Sequence, residues 1–324
     1  MSNYKNGEKE ENGRQAMNSK VCVVTRAASG LGKAVALELA KTGAMVILIA
    51  RDPERGARVQ REISNATDNP NVELELGDLS NLSSVRNLAV ILQNQYDKID
   101  VLINNPAGYR RQRGVTVDGY EQMFAANHLG PYLLTRHLLD SLRASSSGRI
   151  IMVTAPSTTE LDFDDLQGER QFNPLKAFGA SKMANLLFTF QLADRLQDTN
   201  IRVNAVNPGL VRSSLLKEIP APLRYPAWLV ASRPEQAARE IVRLATESEF
   251  ENTHGMFFRK GEEVEPPAYA LDPEVQQRLW ELSETLTDAD EPAANYDPTG
   301  SVAMHNDKEI PAGMIRPKDV PPRQ

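Results

Sequence analysis

Phe178 and Lys182 stand four residues apart in the stretch Lys176 to Lys182, KAFGASK, where a long helical pattern opens. That spacing sets two side chains on one face of a helix. Were the first a tyrosine, a phenol would lie beside a fixed ammonium, its pKa lowered enough to act as a general acid or base near neutral pH. Phe178 carries no hydroxyl, so the stretch holds the scaffold of a proton-transfer site without its most useful atom. Other reactive groups are few. The single cysteine, Cys22, lies in an apolar run, has no internal disulfide partner and reads as a buried structural thiol, which suits a reducing, cytoplasmic setting. His128, His137, His254 and His305 show no metal-ligand spacing with cysteine or clustered acids, so no metal site is expected.

The elements that must position Lys182 follow a regular alternation. Short β-branched or apolar runs at Lys20 to Thr25, Ala44 to Ala50, Val72 to Leu76, Asp100 to Asn104, Arg149 to Thr154 and Ile201 to Asn207 predict strands, with a last strand at Gly255 to Phe258. Helical spacing predicts helices at Gly30 to Thr42, Pro53 to Ala66, from about Asn81 or Ser83 to Tyr96, Pro174 to Leu196, Pro234 to Thr246 and Pro273 to Leu286. A further helix, from about Gly119 to Ser141, is expected to bend or restart at Gly130-Pro131. Strands alternating with helices predict a single α/β domain, a Rossmann-type doubly wound parallel sheet with flanking helices, because parallel strands need crossover connections. Ligands of such sheets lie beyond the carboxyl ends of the strands. Thr25 to Gly32, Ala50-Arg51, Asp78, Asn104 and Pro208-Gly209 therefore border one crevice.

Composition bounds the partners. The chain has 324 residues, a 41% hydrophobic fraction and a net charge of -6 with no basic stripe, which argues against nucleic-acid binding. No apolar run approaches the ~20 residues of a bilayer span. Residues 1–18 are polar and read as a disordered extension, 19–287 as the folded domain, and 288–324 as a disordered or surface-wrapping tail. The Pro-rich apolar segment Leu210 to Ala231, with Tyr225 and Trp228, reads as a pocket cover for a lipophilic small molecule, although core or dimer packing would select similar residues.

This ordered set, with Asn127 and Lys182, resembles the short-chain dehydrogenase/reductase family over roughly Ser19 to Leu286. The strings NHLG at 127–130, LDFDDL at 161–166 and RLWELSETLT at 278–287 are similar to its retinol-dehydrogenase-like branch. The resemblance implies that Thr25, Arg26, Ser29, Gly30, Leu31 and Gly32 form a phosphate-binding turn, and that Asp78 and Leu79 contact adenine. It further implies that Asn104 or Asn105 serves the adenosine ribose and the sheet backbone, that Pro208, Gly209 and Val211 meet the nicotinamide amide, and that Lys182 holds the nicotinamide ribose. Arg51 after the second strand, where NAD-preferring relatives carry an acid one position earlier, favours NADP over NAD, although Asp52 pulls the other way. Relatives pair through the helix bearing their Tyr and Lys, so a homodimer is one reading of the stripe Met183, Leu186, Leu187 and Phe190; core burial is the other.

Four positions depart from the family's pattern. Arg26 replaces the first glycine of TGxxxGxG, so it either obstructs the turn, with loss of the cofactor as the extreme outcome, or reaches a phosphate. Pro106 replaces alanine in NNAG. Ala155 stands at the position of the serine that binds the substrate oxygen, and Phe178 at that of the tyrosine, while Asn127 and Lys182 are retained. Ser157 is the nearest hydroxyl with the parity of Ala155. Three readings follow. The chain is an NADP-binding protein weak or inactive as an ordinary oxidoreductase, a pseudoenzyme; or a non-redox enzyme performing a rearrangement, dehydration or cyclisation on a lipophilic metabolite; or an NADP-dependent oxidoreductase of a hydrophobic alcohol or ketone that draws its proton from Ser157, Lys182 or water.

Overall fold

In the computed structural model, residues 17–212 and 231–288 are described. Residues 1–16 of the N-terminal extension, most of the expected pocket cover and the tail beyond Asp288 lie outside the described residues; Met17, at the end of the expected extension, is instead buried in the core, its apolar side chain joining the cluster of Val35 and Leu39.

The sheet grows from near-continuous apolar runs, β1 Val21–Val24, β2 Met45–Ala50 and β5 Gly148–Val153 among them, which must be covered on both faces. Successive residues then go to opposite sides. Val23, Ile47, Ile49, Leu102, Ile150 and Met152 join one buried cluster, whereas Cys22, Val24, Val46, Leu48, Ile103 and Ile151 join the other. Burial pushes the Cys22 thiol up to about 12, leaving it unreactive.

With β3 Val72–Leu76, β4 Val101–Asn104, β6 Ile201–Asn207, β7 Phe257–Arg259 and β8 Glu262–Glu263, the strand order is β3-β2-β1-β4-β5-β6-β7-β8. All pairings are parallel except that of β8. The order reverses between β1 and β4, which fixes where the crevice opens. Helices α1 Gly30–Lys41, α2 Pro53–Thr67 and α6 Pro234–Thr246 cover one face. The other is covered by α3 Leu82–Gln95, α4 Gly130–Arg143, α5 Pro174–Arg195 and α7 Pro273–Thr287. No described helix is long and apolar enough to cross a membrane.

Side-chain caps set most helix starts. Asp52, Asn81, Asn173 and Asp272 each accept first-turn backbone N–H groups, satisfying donors that a helix end leaves open. Ser29, ahead of α1, makes no such bond. The first-turn donors of α1 therefore face the crevice without a competing side chain.

Gly130-Pro131 does not break its helix. A turn at Gln122–Phe124 passes into a wide π turn at Ala125–Leu129, where Gly130 N–H donates to Ala125 O, and α4 continues directly. The wider turn absorbs the proline, which has no N–H to offer. Gly130 is needed for another reason: a Cβ there would lie 2.0 Å from Leu79 O. Gly130→Ala is expected to lower stability by ~1–3 kcal/mol through backbone displacement, read as a fall in denaturation midpoint.

Past its exposed first turn, helix α5 is enclosed by its own chain. Every residue from Ser181 to Ala193 is buried, including the stripe Met183, Leu186, Leu187 and Phe190. Trp280 of α7 stacks on Phe188 with ring centroids 6.0 Å apart. Core packing therefore accounts for that stripe.

Candidate functional site

Two chambers of about 360 and 370 Å³ open beyond the strand ends and share Arg26, Ser29 and Ala107. The first lies against β2 and β3 and is bordered by Arg51, Asp52, Arg55, Asp78, Leu79 and Arg110. The second lies over β5 and α5 and is bordered by Gly30, Leu31, Asn105, Ala155, Phe178, Lys182, Pro208, Gly209, Val211 and Arg259. Nearly all the residues singled out for the cofactor thus meet in one crevice.

The phosphate turn is built tightly. Gly30 has φ +54° and Arg26 φ +52°, the left-handed region that costs a side-chain-bearing residue ~1–2 kcal/mol. Arginine has kept the backbone shape that glycine would hold freely. A Cβ on Gly32 would lie 2.4 Å from Arg26 O and 2.7 Å from Asn105 Nδ2, so the bare backbone of Gly32 is required. Thr25 Oγ1 donates to Ile103 O at 3.3 Å and accepts from Asn105 N at 2.8 Å, tying the turn to the end of β4. Desolvation, then the neighbouring charges of Arg51 and Arg110, hold the Arg26 guanidinium below its ordinary pKa.

In the first chamber Asp52 is committed to capping α2, its carboxylate accepting from Arg55 N at 3.0 Å. Arg51 is exposed and stands 3.8 Å from Asp78 Oδ2, while Asp78 Oδ1 accepts from Ser80 N and Ser80 Oγ. Arg55 Nε donates to Ala28 O at 3.0 Å and so braces the phosphate turn. Asn104 does not reach the crevice. It shares the parity of Leu102 and donates from Nδ2 to Thr135 Oγ1 of α4 at 2.9 Å, fully buried. Of the Asn104-Asn105 pair, Asn105 is the crevice residue.

Pro106 to Gly108 forms the wall between the chambers and is pinned from both sides. Lys182 Nζ donates to Pro106 O, and Asn127 accepts from Gly108 N at 2.7 Å while donating to Gly108 O at 2.8 Å and Ser181 Oγ at 3.0 Å. Asn127, fully buried in the π turn, is thereby saturated and borders neither chamber.

At the proton-transfer position the second chamber offers an aromatic ring and a methyl group. Lys182 Nζ lies 5.4 Å from the Phe178 ring centroid, a cation–π geometry. Burial, then the charge of Arg26, brings the Lys182 pKa from an ordinary 10.5 to about 7. Thr154 Oγ1 donates to Lys182 O at 3.0 Å. Ser157 Oγ donates to Gly179 O at 2.8 Å and accepts from Thr159 N at 3.1 Å. Ser157 does not border the chamber, so the parity it shares with Ala155 does not bring it into the site; Pro156 and the turn to Thr159 redirect it.

Sequence reasoning missed Arg55, Arg110, Tyr109 and Arg259. Tyr109, next to Gly108, packs edge-on against Phe178 at 5.7 Å between centroids. Arg259 enters the second chamber from the end of β7, a strand too short to announce its last residue.

The fold and crevice define a Rossmann-type α/β protein with a crevice beyond its strand ends. The family profile described as short chain dehydrogenase matches residues 20–223. Human retinol dehydrogenase 13 is 36% identical over 290 residues, covering 86% of this chain and 88% of that protein. Human retinol dehydrogenase 14 is 36% identical over 292 residues, covering 83% and 87% respectively. A solved structure from Mycobacterium paratuberculosis superposes with a TM-score of 0.68 at 31% identity, covering 83% of this chain and 94% of its own. The chain belongs to the short-chain dehydrogenase/reductase family, in its retinol-dehydrogenase-like branch.

Proposed function

We propose that this protein binds NADP(H) across both chambers and a lipophilic molecule in the second, without sustaining ordinary oxidoreductase turnover. One observation carries the reading. The wall facing the retained Lys182 presents Ala155 and Phe178, while the nearby hydroxyls of Thr154 and Ser157 are bonded to backbone carbonyls.

The residues present fit the cofactor. The uncapped start of α1 and the bare backbone of Gly32 leave a cradle for a diphosphate. Arg51 would meet a 2′-phosphate in the first chamber, where the neighbouring Asp52 is hydrogen-bonded as the cap of α2, and Asp78 and Leu79 would face the adenine. A bound nicotinamide would supply or accept a hydride. What this chain adds is binding, orientation and exclusion of water; a proton donor beside a developing alkoxide is what it lacks. Each lost group of that kind costs ~10²–10⁴-fold.

A fluorescence titration with NADPH tests the binding half, with saturable binding expected. Arg26→Gly is expected to tighten it and to raise stability by about 1 kcal/mol, because the side chain at the junction and its left-handed backbone are both relieved. No saturation would remove the cofactor from the reading. Steady NADPH oxidation by the wild type with hydrophobic aldehydes or ketones, abolished by Lys182→Ala, would remove the claim of lost turnover.

A further inference from the structure

The mechanism of the family uses its lysine through a tyrosine, and here that tyrosine is gone. Lys182 is 5% exposed, yet it borders the second chamber, spends one N–H on Pro106 O and faces the Phe178 ring. No aspartate or glutamate is among the described residues lining that chamber, so no carboxylate there pairs with the ammonium. Two other cations, Arg26 and Arg259, line it as well. The rest of the wall is largely apolar: Val153, Ala155, Pro156, Phe178, Leu210 and Val211. A lysine desolvated in such a wall beside another cation is the arrangement that frees an amine for attack on carbonyls.

We infer that Lys182 is a carbonyl-capturing nucleophile whose Nζ condenses with a lipophilic aldehyde seated in the second chamber to form an imine. The neutral Nζ adds to the carbonyl carbon, forming the C–N bond as the carbonyl π bond breaks, and a proton passes from nitrogen to oxygen. The carbinolamine then loses water to give C=N. Amine and aldehyde balance imine and water, with no oxidant or reductant. The depressed pKa of Lys182 makes about half of the amine available at pH 7, against well under a hundredth for an ordinary lysine. The inference rests on the preceding reading in one respect: a chain that reduced its aldehydes would clear them before capture.

The test uses the full chain, decanal as the aldehyde and sodium cyanoborohydride to fix the imine, without NADPH, followed by peptide mass mapping. The expected result is a single decyl adduct on the peptide carrying Lys182, formed at least about tenfold faster than any on exposed Lys176 at neutral pH. Its initial rate should climb as pH passes through about 7. Lys182→Met should lose that adduct; should it fail to fold, Lys182→Arg keeps the cation and removes the nucleophile. Labelling of Lys182 no faster than of Lys176, or a pattern unchanged in a folded Lys182 variant, overturns the inference. NADPH oxidation is measured separately, so that the adduct map decides the imine and the oxidation assay decides turnover.

Discussion

Phe178→Tyr together with Ala155→Ser is expected to bring out NADPH-dependent reduction of hydrophobic aldehydes, at least ~10²-fold above the wild-type rate. The Phe178 ring already lies 5.4 Å from Lys182 Nζ, so a hydroxyl on it would enter the second chamber within the field of a cation. That field favours the phenolate and lowers the phenol's pKa. The serine hydroxyl introduced by Ala155→Ser would stand on the facing wall, where Ala155 now borders the same chamber. The two groups act on one carbonyl oxygen, so their effects should not simply multiply, and each single variant should show only a fraction of the gain. The readout is loss of NADPH absorbance against a panel of aldehydes. A double variant that binds NADPH and stays silent would place the defect elsewhere, at the pinned wall Pro106 to Gly108 or at Arg26.

The second large effect is thermodynamic. Lys182→Met should stabilise the protein near pH 6 by a few kcal/mol, the gain fading as pH rises. In the unfolded chain Lys182 keeps its proton to about 10.5, whereas in the fold it gives it up near 7. Between those values the unfolded state binds more protons, so wild-type stability rises with pH; below about 7 the penalty for the buried charge is present in full. The shift of roughly 3.5 units sets an upper limit near 5 kcal/mol, part of it offset by the lost bond to Pro106 O. Comparing denaturation midpoints of wild type and variant from about pH 6 to 9 isolates this group, because other titrations cancel in the difference. A difference that does not change with pH would mean that Lys182 keeps an ordinary pKa in the fold.

Much of this crevice could be read before any coordinates. Strands such as MVILIA are buried on both faces, and their apolar runs stand out between glycine and proline signals. The phosphate turn was legible for the same reason, since glycines at Gly30 and Gly32 answer to backbone geometry and a close contact. What could not be read was decided by direction. Asn104 and Asn105 are the same residue type in neighbouring positions, and only the parity of β4 sends one toward Thr135 and the other toward Thr25. Ser157 had the right parity for an extended strand, but the strand ends at Val153. Gly130-Pro131 carries a break signal that the π turn absorbs. Arg110 and Arg259 come from a loop and a strand end, where no periodicity marks which way a side chain points.

The enclosure of α5 also has a consequence for how the protein is made. The half of the sheet that borders the first chamber, β1 through β4 with α1 to α3, is contiguous in the chain and can begin to assemble as it is synthesised. The helix that carries Lys182 cannot be fully sheltered then, because part of its cover is α7, the last described helix. Trp280 meets Phe188, and Gln277 accepts from Arg195. A ribosome that stalled before Pro273 would leave a nascent chain with its first half laid down and the Trp280 side of its lysine helix uncovered, a species for chaperones to hold.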